Sequence, residues 1–185
     1  MEQNMIYLFL AEGFEEIEAL TPVDVLRRAG LELKTVAVGK SKTVKGAHGI
    51  EVVADILESE LDNDIIPEAI ILPGGMPGTI NLEESQTVIE TLAVAMANGS
   101  LVCAICAAPS ILGISGYLKR KKATCYPGFE EYLDEAAFTN ERVVRDGNII
   151  TAKGMGCAAE FSLCIVEALC GKEKADEVAL SSIIK

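Results

Sequence analysis

Short apolar runs alternating with helix-patterned segments over 185 residues predict a doubly wound α/β sandwich with a mostly parallel central sheet. Three observations carry this. Met5–Ala11, Leu33–Val38, Glu68–Leu72 and Leu101–Ile105 are strand-length runs rich in aliphatic residues, and Leu101–Ile105 carries no charge, as a strand buried on both faces requires. Helical spacing follows them. Glycine and proline cluster where the runs end, most densely in Pro73-Gly74-Gly75-Met76-Pro77-Gly78, which neither helix nor strand absorbs. In sheets of this class, sites collect beyond the carboxyl ends of the parallel strands. The loops Glu12–Glu18, Pro73–Gly78 and Cys106–Ala108 are therefore expected to converge.

In chain order, Met5–Ala11 reads as a central strand and Glu15–Ala29 as a helix, with a restart or kink at Thr21–Asp24 and a stop at Gly30. Leu33–Val38 is the second strand. Lys45–Gly49 is a turn before a strand at Ile50–Ala54, a hairpin-like excursion holding His48, the chain's single histidine. After the glycine-rich loop, a helix over about Ser85–Ala97 ends at Asn98-Gly99. Lys119–Lys122 reads as a solvated loop, Ala123–Tyr126 as a short strand and Phe129–Ala136 as a helix. Glu141–Arg145 and Asn148–Ala152 flank Asp146-Gly147, a favoured hairpin turn. Helices over Cys157–Cys170 and Lys172–Ser181 close the chain. No repeat or linker divides it, so residues 1–185 are expected to form one domain.

Composition narrows the function. Sixteen basic against twenty-eight acidic residues give a formal charge of −12, which repels phosphate backbones and anionic lipid. Stable nucleic-acid binding and a membrane-surface role are not expected. No run approaches the roughly eighteen apolar residues of a membrane span, and MEQNM lacks the basic, apolar plan of a leader, so a cytoplasmic protein is expected. Six cysteines scattered through apolar segments fit a reducing compartment.

Cys106 is the candidate nucleophile. It falls where the Leu101–Ile105 strand turns into a helix opened by Ala107-Ala108-Pro109, and proline suits a first helical turn. Such a turn lifts a side chain above the strand ends, and free N–H groups there would lower the thiol pKa. Against this stands the ordinary burial of cysteine in cores. Cys103 and Cys106 spell C-x-x-C, but Cys103 lies inside the strand, where alternation should turn it to the opposite face from Cys106, so it reads as core. Cys125, Cys157, Cys164 and Cys170 supply no second close pair for zinc, and no metal site is expected. Gly74-Gly75 could let backbone approach a bound group and, with the Ala107 N–H, form an oxyanion hole, although Gly-Gly is more often simply a turn. Glu15, Glu16 and Glu18 crowd a helix start, the usual complement to a helix dipole. A carboxyl held against a thiolate in a dry pocket would instead stay protonated and donate to sulfur.

The order AEGFEEIEALTPVDVLRRAG, LPGG, AICAAP and a late GMG loop before an apolar helix resembles the ThiJ/PfpI superfamily, specifically its DJ-one clade of Parkinsonism-associated deglycases. The resemblance covers essentially the whole chain. It implies a flavodoxin-like sandwich that forms a homodimer, Cys106 as reactive thiol, Glu18 as its partner, and Gly75 and Ala107 as the oxyanion-binding N–H pair. Histidine follows the nucleophile in the peptidase-like branch, and Ala107 stands there here, which removes a Cys-His dyad for amide cleavage. Relatives place histidine at Tyr126, whose hydroxyl could orient substrate, and threonine at Cys157. His48 reads from its residues as an exposed turn. The resemblance puts it near the dimer interface, facing the partner's site. Arg28 is a candidate anion-binding edge, or simply a dipole complement at a helix end.

These residues imply a cofactor-independent enzyme acting on small reactive dicarbonyls, such as methylglyoxal, free or as adducts on amines and thiols, and yielding a hydroxy acid. The competing expectation is an oxidative-stress sensor or redox chaperone in which Cys106 becomes a sulfinic acid. A peptidase or amidotransferase-like hydrolase ranks below both.

Overall fold

The computed structural model describes residues 5–62 and 64–184. Residues 1–4, most of the segment expected to carry no leader, lie outside the described residues. The elements run β1 (Ile6–Leu10), α1 (Glu16–Arg28), β2 (Leu33–Ala37), β3 (Thr43–Lys45), β4 (Glu51–Val53), β5 (Ile56–Leu57), β6 (Ala69–Leu72), α2 (Gly78–Glu84), α3 (Gln86–Asn98), β7 (Leu101–Ile105), α4 (Pro109–Ile114), β8 (Lys122–Ala123), β9 (Ala137–Phe138), β10 (Val143–Asp146), β11 (Ile149–Ala152), α5 (Ala158–Cys170) and α6 (Lys172–Ser181). Seven strands form the main sheet in the order β10-β11-β7-β6-β1-β2-β5. Every pairing in it is parallel except β10 with β11.

Strand alternation divides the core into two layers. Ile6, Leu8, Leu10, Ile71, Cys103 and Ile105 point toward α1, α5 and α6, where Leu26, Phe161, Ile165 and Val178 cover them. Tyr7, Phe9, Ile70, Leu72, Val102 and Ala104 point toward Leu82, Val88, Leu92, Ile111 and Leu112 of α2, α3 and α4. Both faces of β1, β6 and β7 are buried, which is why these strands read as unbroken apolar runs. The chain leaves β1 toward β2 and returns to β6 on the opposite side. The order therefore reverses between β1 and β6, the place where sheets of this class commonly carry their sites.

The structure departs from the sequence reading at several points. α1 is continuous through Thr21–Asp24, with buried Pro22 inside it, because the apolar stripe Ala19, Pro22, Val25, Leu26 docks on the sheet and overrides the proline. α2 arises where only a loop is expected: Pro77 precedes it, and Leu82 anchors it in the core. Phe129–Ala136 collapses to a single 3₁₀ turn over Glu130–Tyr132, and Glu135 adopts φ +53. Glu130, Glu131, Asp134 and Glu135 would stack like charges at i, i+4 spacing in a helix. The β10–β11 loop is Gly147-Asn148, one residue later than expected, since Asp146 pairs with Ile149. β5 and β9, two residues each, carry too little pattern to be seen in sequence. Cys103 is fully buried in the core as expected. Cys106 nevertheless packs against the same core layer, because its left-handed backbone, φ +66, ends the alternation after Ile105.

Candidate active site

Three loops meet above the β1–β6 reversal and its neighbour β7. The first is the start of α1, where three closely spaced acidic residues, Glu15, Glu16 and Glu18, take separate tasks. The Glu15 carboxylate caps the helix by accepting the Glu18 N–H at 2.7 Å. Buried Glu16 turns to the β3–β4 hairpin, accepting from the His48 N–H at 2.7 Å and facing His48 Nδ1 at 2.7 Å. Burial works against charge on Glu16, yet hydrogen bonds from the His48 ring and from nearby backbone N–H groups outweigh it and hold the carboxyl below the usual range. Glu18, only 1 % exposed, turns inward to the strand ends.

The second loop is the glycine-rich turn after β6. The Gly74 N–H donates to Glu18 Oε2 at 3.0 Å. A Cβ on Gly74 would stand 2.6 Å from Cys106 Cβ and 2.7 Å from Glu18 Oε2, so only glycine lets the loop pass between the two side chains. Gly75 has φ +93, and a side chain there would meet the backbone of residues 13 to 15. Here Gly-Gly is more than a turn.

The third loop is Cys106 itself, a non-glycine residue at φ +66 between β7 and α4. Such a conformation costs on the order of 1–2 kcal/mol. The Cys106 N–H is held by Ala152 O at 2.9 Å, and Cys106 O accepts the Tyr126 N–H at 2.8 Å, which fixes the turn from both sides. The sulfur lies within hydrogen-bonding reach of the Glu18 carboxyl and of the Gly75 and Ala107 N–H groups. Thus Cys106, Glu18, Gly75 and Ala107 come together at the ends of β6 and β7.

The protonation balance differs from the sequence expectation. Burial pushes the Cys106 thiol up to about 12, and Glu18 adds to the rise, while the Ala107 and Gly75 N–H groups pull against it. α4 has only six residues and lends little dipole to the sulfur. Burial also pushes the Glu18 carboxyl up to about 7, against hydrogen bonds from Cys106, the Gly74 N–H and the Met155 N–H. The coupled pair therefore carries two protons, one on each group, below about pH 7, and a single proton, on sulfur, above it. The Met155 contact lies in the GMG stretch, and a backbone donor of this kind has no side-chain signature to read in sequence.

A cleft of about 540 Å³ lies on the other side of β1, lined by Glu12, Gly39, Glu58, Asn81 and Ser85 among others. It shares no residue with the Cys106–Glu18 pair. Its walls are strongly acidic, whereas the pair, the strained turn and the converging N–H groups all lie at the β6–β7 side.

Comparison with known proteins places this geometry in a family. The model of the DJ-1/PfpI family matches residues 4–168. The chain belongs to the DJ-1/PfpI family. Protein DJ-1 homolog B of Arabidopsis thaliana is 42% identical over 172 residues, covering 92% of this chain and 39% of the relative. The chain thus spans about two fifths of that plant protein's length. The glutathione-independent glyoxalase DJR-1.2 of Caenorhabditis elegans is 34% identical over 179 residues, covering 96% of this chain and 94% of the relative. The crystal structure of Drosophila melanogaster DJ-1beta superposes with a TM-score of 0.93 at 34% identity, covering 99% of each chain.

Within this DJ-1/PfpI fold the remaining candidates divide. Tyr126 stands over the site, half exposed, with its ring against Gly154. Cys157 is buried where the Gly154–Cys157 turn enters α5, its N–H donating to Gly154 O at 2.8 Å. His48 is on the surface, bound to Glu16 rather than to the Cys106–Glu18 pair, and that contact raises its pKa. Arg28 lies at the far end of α1 from Glu18, paired with Asp24 at 2.7 Å, so it does not line the site within one protomer. Glu15, Glu16 and His48 lie close enough together to share a cation, but each already has a structural task. Among the described residues, no helix is long and apolar enough to cross a membrane.

Proposed function

We propose that the protein is a cofactor-independent glyoxalase or deglycase, converting methylglyoxal or its adducts to lactate. The observation that carries this reading is the convergence of the Cys106 sulfur, the Glu18 carboxyl at about 7 and the Gly75 and Ala107 N–H groups on one point. The name of the nematode relative supports it. Cys106 Sγ adds to the aldehyde carbon, and the thiol proton ends on the former carbonyl oxygen, which the two N–H groups hold. Glu18 as carboxylate then takes the proton from C1 and returns it to C2, while the hydroxyl proton on the C1 oxygen passes to the C2 oxygen, giving the thioester. Water attacks the thioester, the C–S bond breaks, and sulfur recovers its proton. Carboxyls near pH 7 suit both halves of such a transfer. The sum is methylglyoxal plus water to lactate.

The test is the number of lactate molecules formed per protein with excess methylglyoxal. Many turnovers are expected, and none in Cys106→Ser. A plateau at one methylglyoxal consumed per protein, with no lactate, would mean that the thiol only traps the aldehyde. The same ring of donors around sulfur favours a second reading, in which Cys106 is oxidised to a sulfinic acid that Glu18 and the N–H groups stabilise.

We also propose a homodimer. Ile17 on α1 and Ile50 and Val53 on the β3–β4 hairpin are 47%, 55% and 71% exposed. They flank the Glu16–His48 contact that ties hairpin to helix. Covering such a surface is the usual office of a two-fold interface. Sedimentation at micromolar concentration should return twice the 19.7 kDa chain mass. A monomer at that concentration would leave His48 without any role at a neighbouring site.

A further inference from the structure

We propose that Glu16 is a positioning residue for the Cys106–Glu18 pair: its buried carboxylate locks the turn over residues 46–50 to the start of α1 and so fixes where the Glu18 carboxyl stands. This rests on the reading of Cys106 and Glu18 as the working pair, whatever substrate they take. No step of the chemistry uses Glu16 directly.

Glu16 is only 3% exposed. A solvated glutamate in a first turn complements the helix dipole as well, without the cost of burying a charge. That cost is met here by the hairpin. Glu16 Oε1 accepts the His48 N–H at 2.7 Å, Oε2 faces His48 Nδ1 at 2.7 Å, and the Ile50 N–H also donates to the carboxyl. A Cβ on Gly46 would fall inside the Glu16 carboxyl. Gly46 lacks the left-handed backbone that favours glycine, so it is the carboxyl, not the turn, that requires its bareness.

The segment leading into α1 lies between two sets of hydrogen bonds. On the hairpin side, the Gly13 N–H donates to Lys45 O at 2.8 Å and the Ala47 N–H to Phe14 O at 2.8 Å. On the other side, the Glu15 N–H donates to Gly74 O at 2.9 Å and the Gly78 N–H to Gly13 O at 3.2 Å. At Glu16 the backbone turns into the helix, and the side chain supplies the next rung to the hairpin in its place. The glycine loop leaves no slack behind this segment, since a Cβ on Gly75 would strike Glu15 N and Gly13 O. The same loop holds Glu18 Oε2 through the Gly74 N–H at 3.0 Å. Hairpin, helix start and glycine loop thus form one stack with the Cys106–Glu18 pair at its far side. A slip of the helix start changes the burial of Glu18, and burial is what pushes that carboxyl up. The acidic neighbour that raises Glu18 through its charge is Glu15, so a change at Glu16 reaches Glu18 through position.

The experiment follows the Glu18 carboxyl carbon by NMR as pH is varied, its signal assigned by its loss in Glu18→Gln. Wild type should titrate near 7. Glu16→Ala and Gly46→Ala should each lower the midpoint by about one pH unit or more, toward the ordinary carboxyl range. Glu16→Gln keeps an oxygen for the His48 N–H, and His48→Gln keeps that N–H, so both should stay near wild type. Val178→Ala, in the core beneath α6, controls for lost stability alone and should also leave the midpoint in place. Turnover of methylglyoxal gives a second reading: kcat should fall by roughly 10- to 100-fold in Glu16→Ala with KM little changed. If wild type makes no lactate, the dicarbonyl reading fails, while the titration still decides the role of Glu16. If Glu16→Ala does not fold, Gly46→Ala decides in its place. A midpoint unmoved in the folded members of that pair, or moved as far by Val178→Ala or by Glu16→Gln, would overturn the proposal.

Discussion

Lactate formation from methylglyoxal is expected to fall by roughly two to four orders of magnitude in Glu18→Gln, the usual contribution of a general acid/base, while Cys106 remains open to alkylation. The amide keeps the size of the side chain and can still hydrogen-bond, but it carries no transferable proton between C1 and C2. It also removes the charge that helps push the Cys106 thiol up to about 12. The pH profile of Cys106 alkylation should therefore move to lower pH in the variant even as turnover collapses. Those opposite movements separate proton transfer from mere activation of sulfur. If Glu18 serves only to stabilise oxidised sulfur, turnover will hold and the change will appear in how far peroxide carries Cys106 along the oxidation ladder, read by intact mass. Lactate formation unchanged in Glu18→Gln yet abolished in Cys106→Ser would sink the paired mechanism and turn attention to Tyr126 or Cys157.

The strand-to-helix turn at Cys106 was legible because β7 is uncharged and short and Pro109 can only open a helix there. The glycine-rich loop was legible as a loop but not as a wall. That Gly74 must lack a Cβ follows from the approach of Cys106 and Glu18, two residues distant in sequence. Spacing alone could not choose among Glu15, Glu16 and Glu18, since all three fit an acidic first turn. Resemblance singles out Glu18, and the fold separates it from the other two. From the N-cap and the first turn of α1 the three carboxylates point to the cap, the hairpin and the strand ends. The thiol departs from the sequence expectation for a physical reason: a helix start lowers a thiol pKa where its N–H groups outweigh burial, and beside the six-residue α4 burial and the neighbouring carboxyl dominate. Which backbone N–H meets a buried carboxyl, as Gly74 N–H meets Glu18, is set by the fold and leaves no trace in residue chemistry alone.

The same pair makes stability depend on pH in a defined direction. With the folded Glu18 carboxyl raised to about 7 from an ordinary 4.5, the native chain keeps a proton that the unfolded chain has lost between those values. Native protein then binds more protons than unfolded, so stability falls as pH rises through that window and the loss is complete above about 7. Below about 4.5 both forms are protonated and the penalty vanishes. Between pH 5 and pH 8 the loss from this group is about 2 kcal/mol, from the value of one pKa unit. The thiol contributes only at higher pH, where the unfolded cysteine ionises and the buried one does not. Glu18→Gln removes the carboxyl's share. The Gly74 N–H that donates to Glu18 Oε2 would then have to meet the amide oxygen, and the cost of holding the amide in that orientation sets the variant's offset without changing with pH. Urea unfolding of both proteins at one protein concentration should therefore show the variant gaining on wild type by about 2 kcal/mol from pH 5 to pH 8. Other titrating groups cancel in the comparison. Parallel profiles would mean that Glu18 ionises as freely in the fold as out of it, and would take away the proton carrier that the proposed chemistry requires.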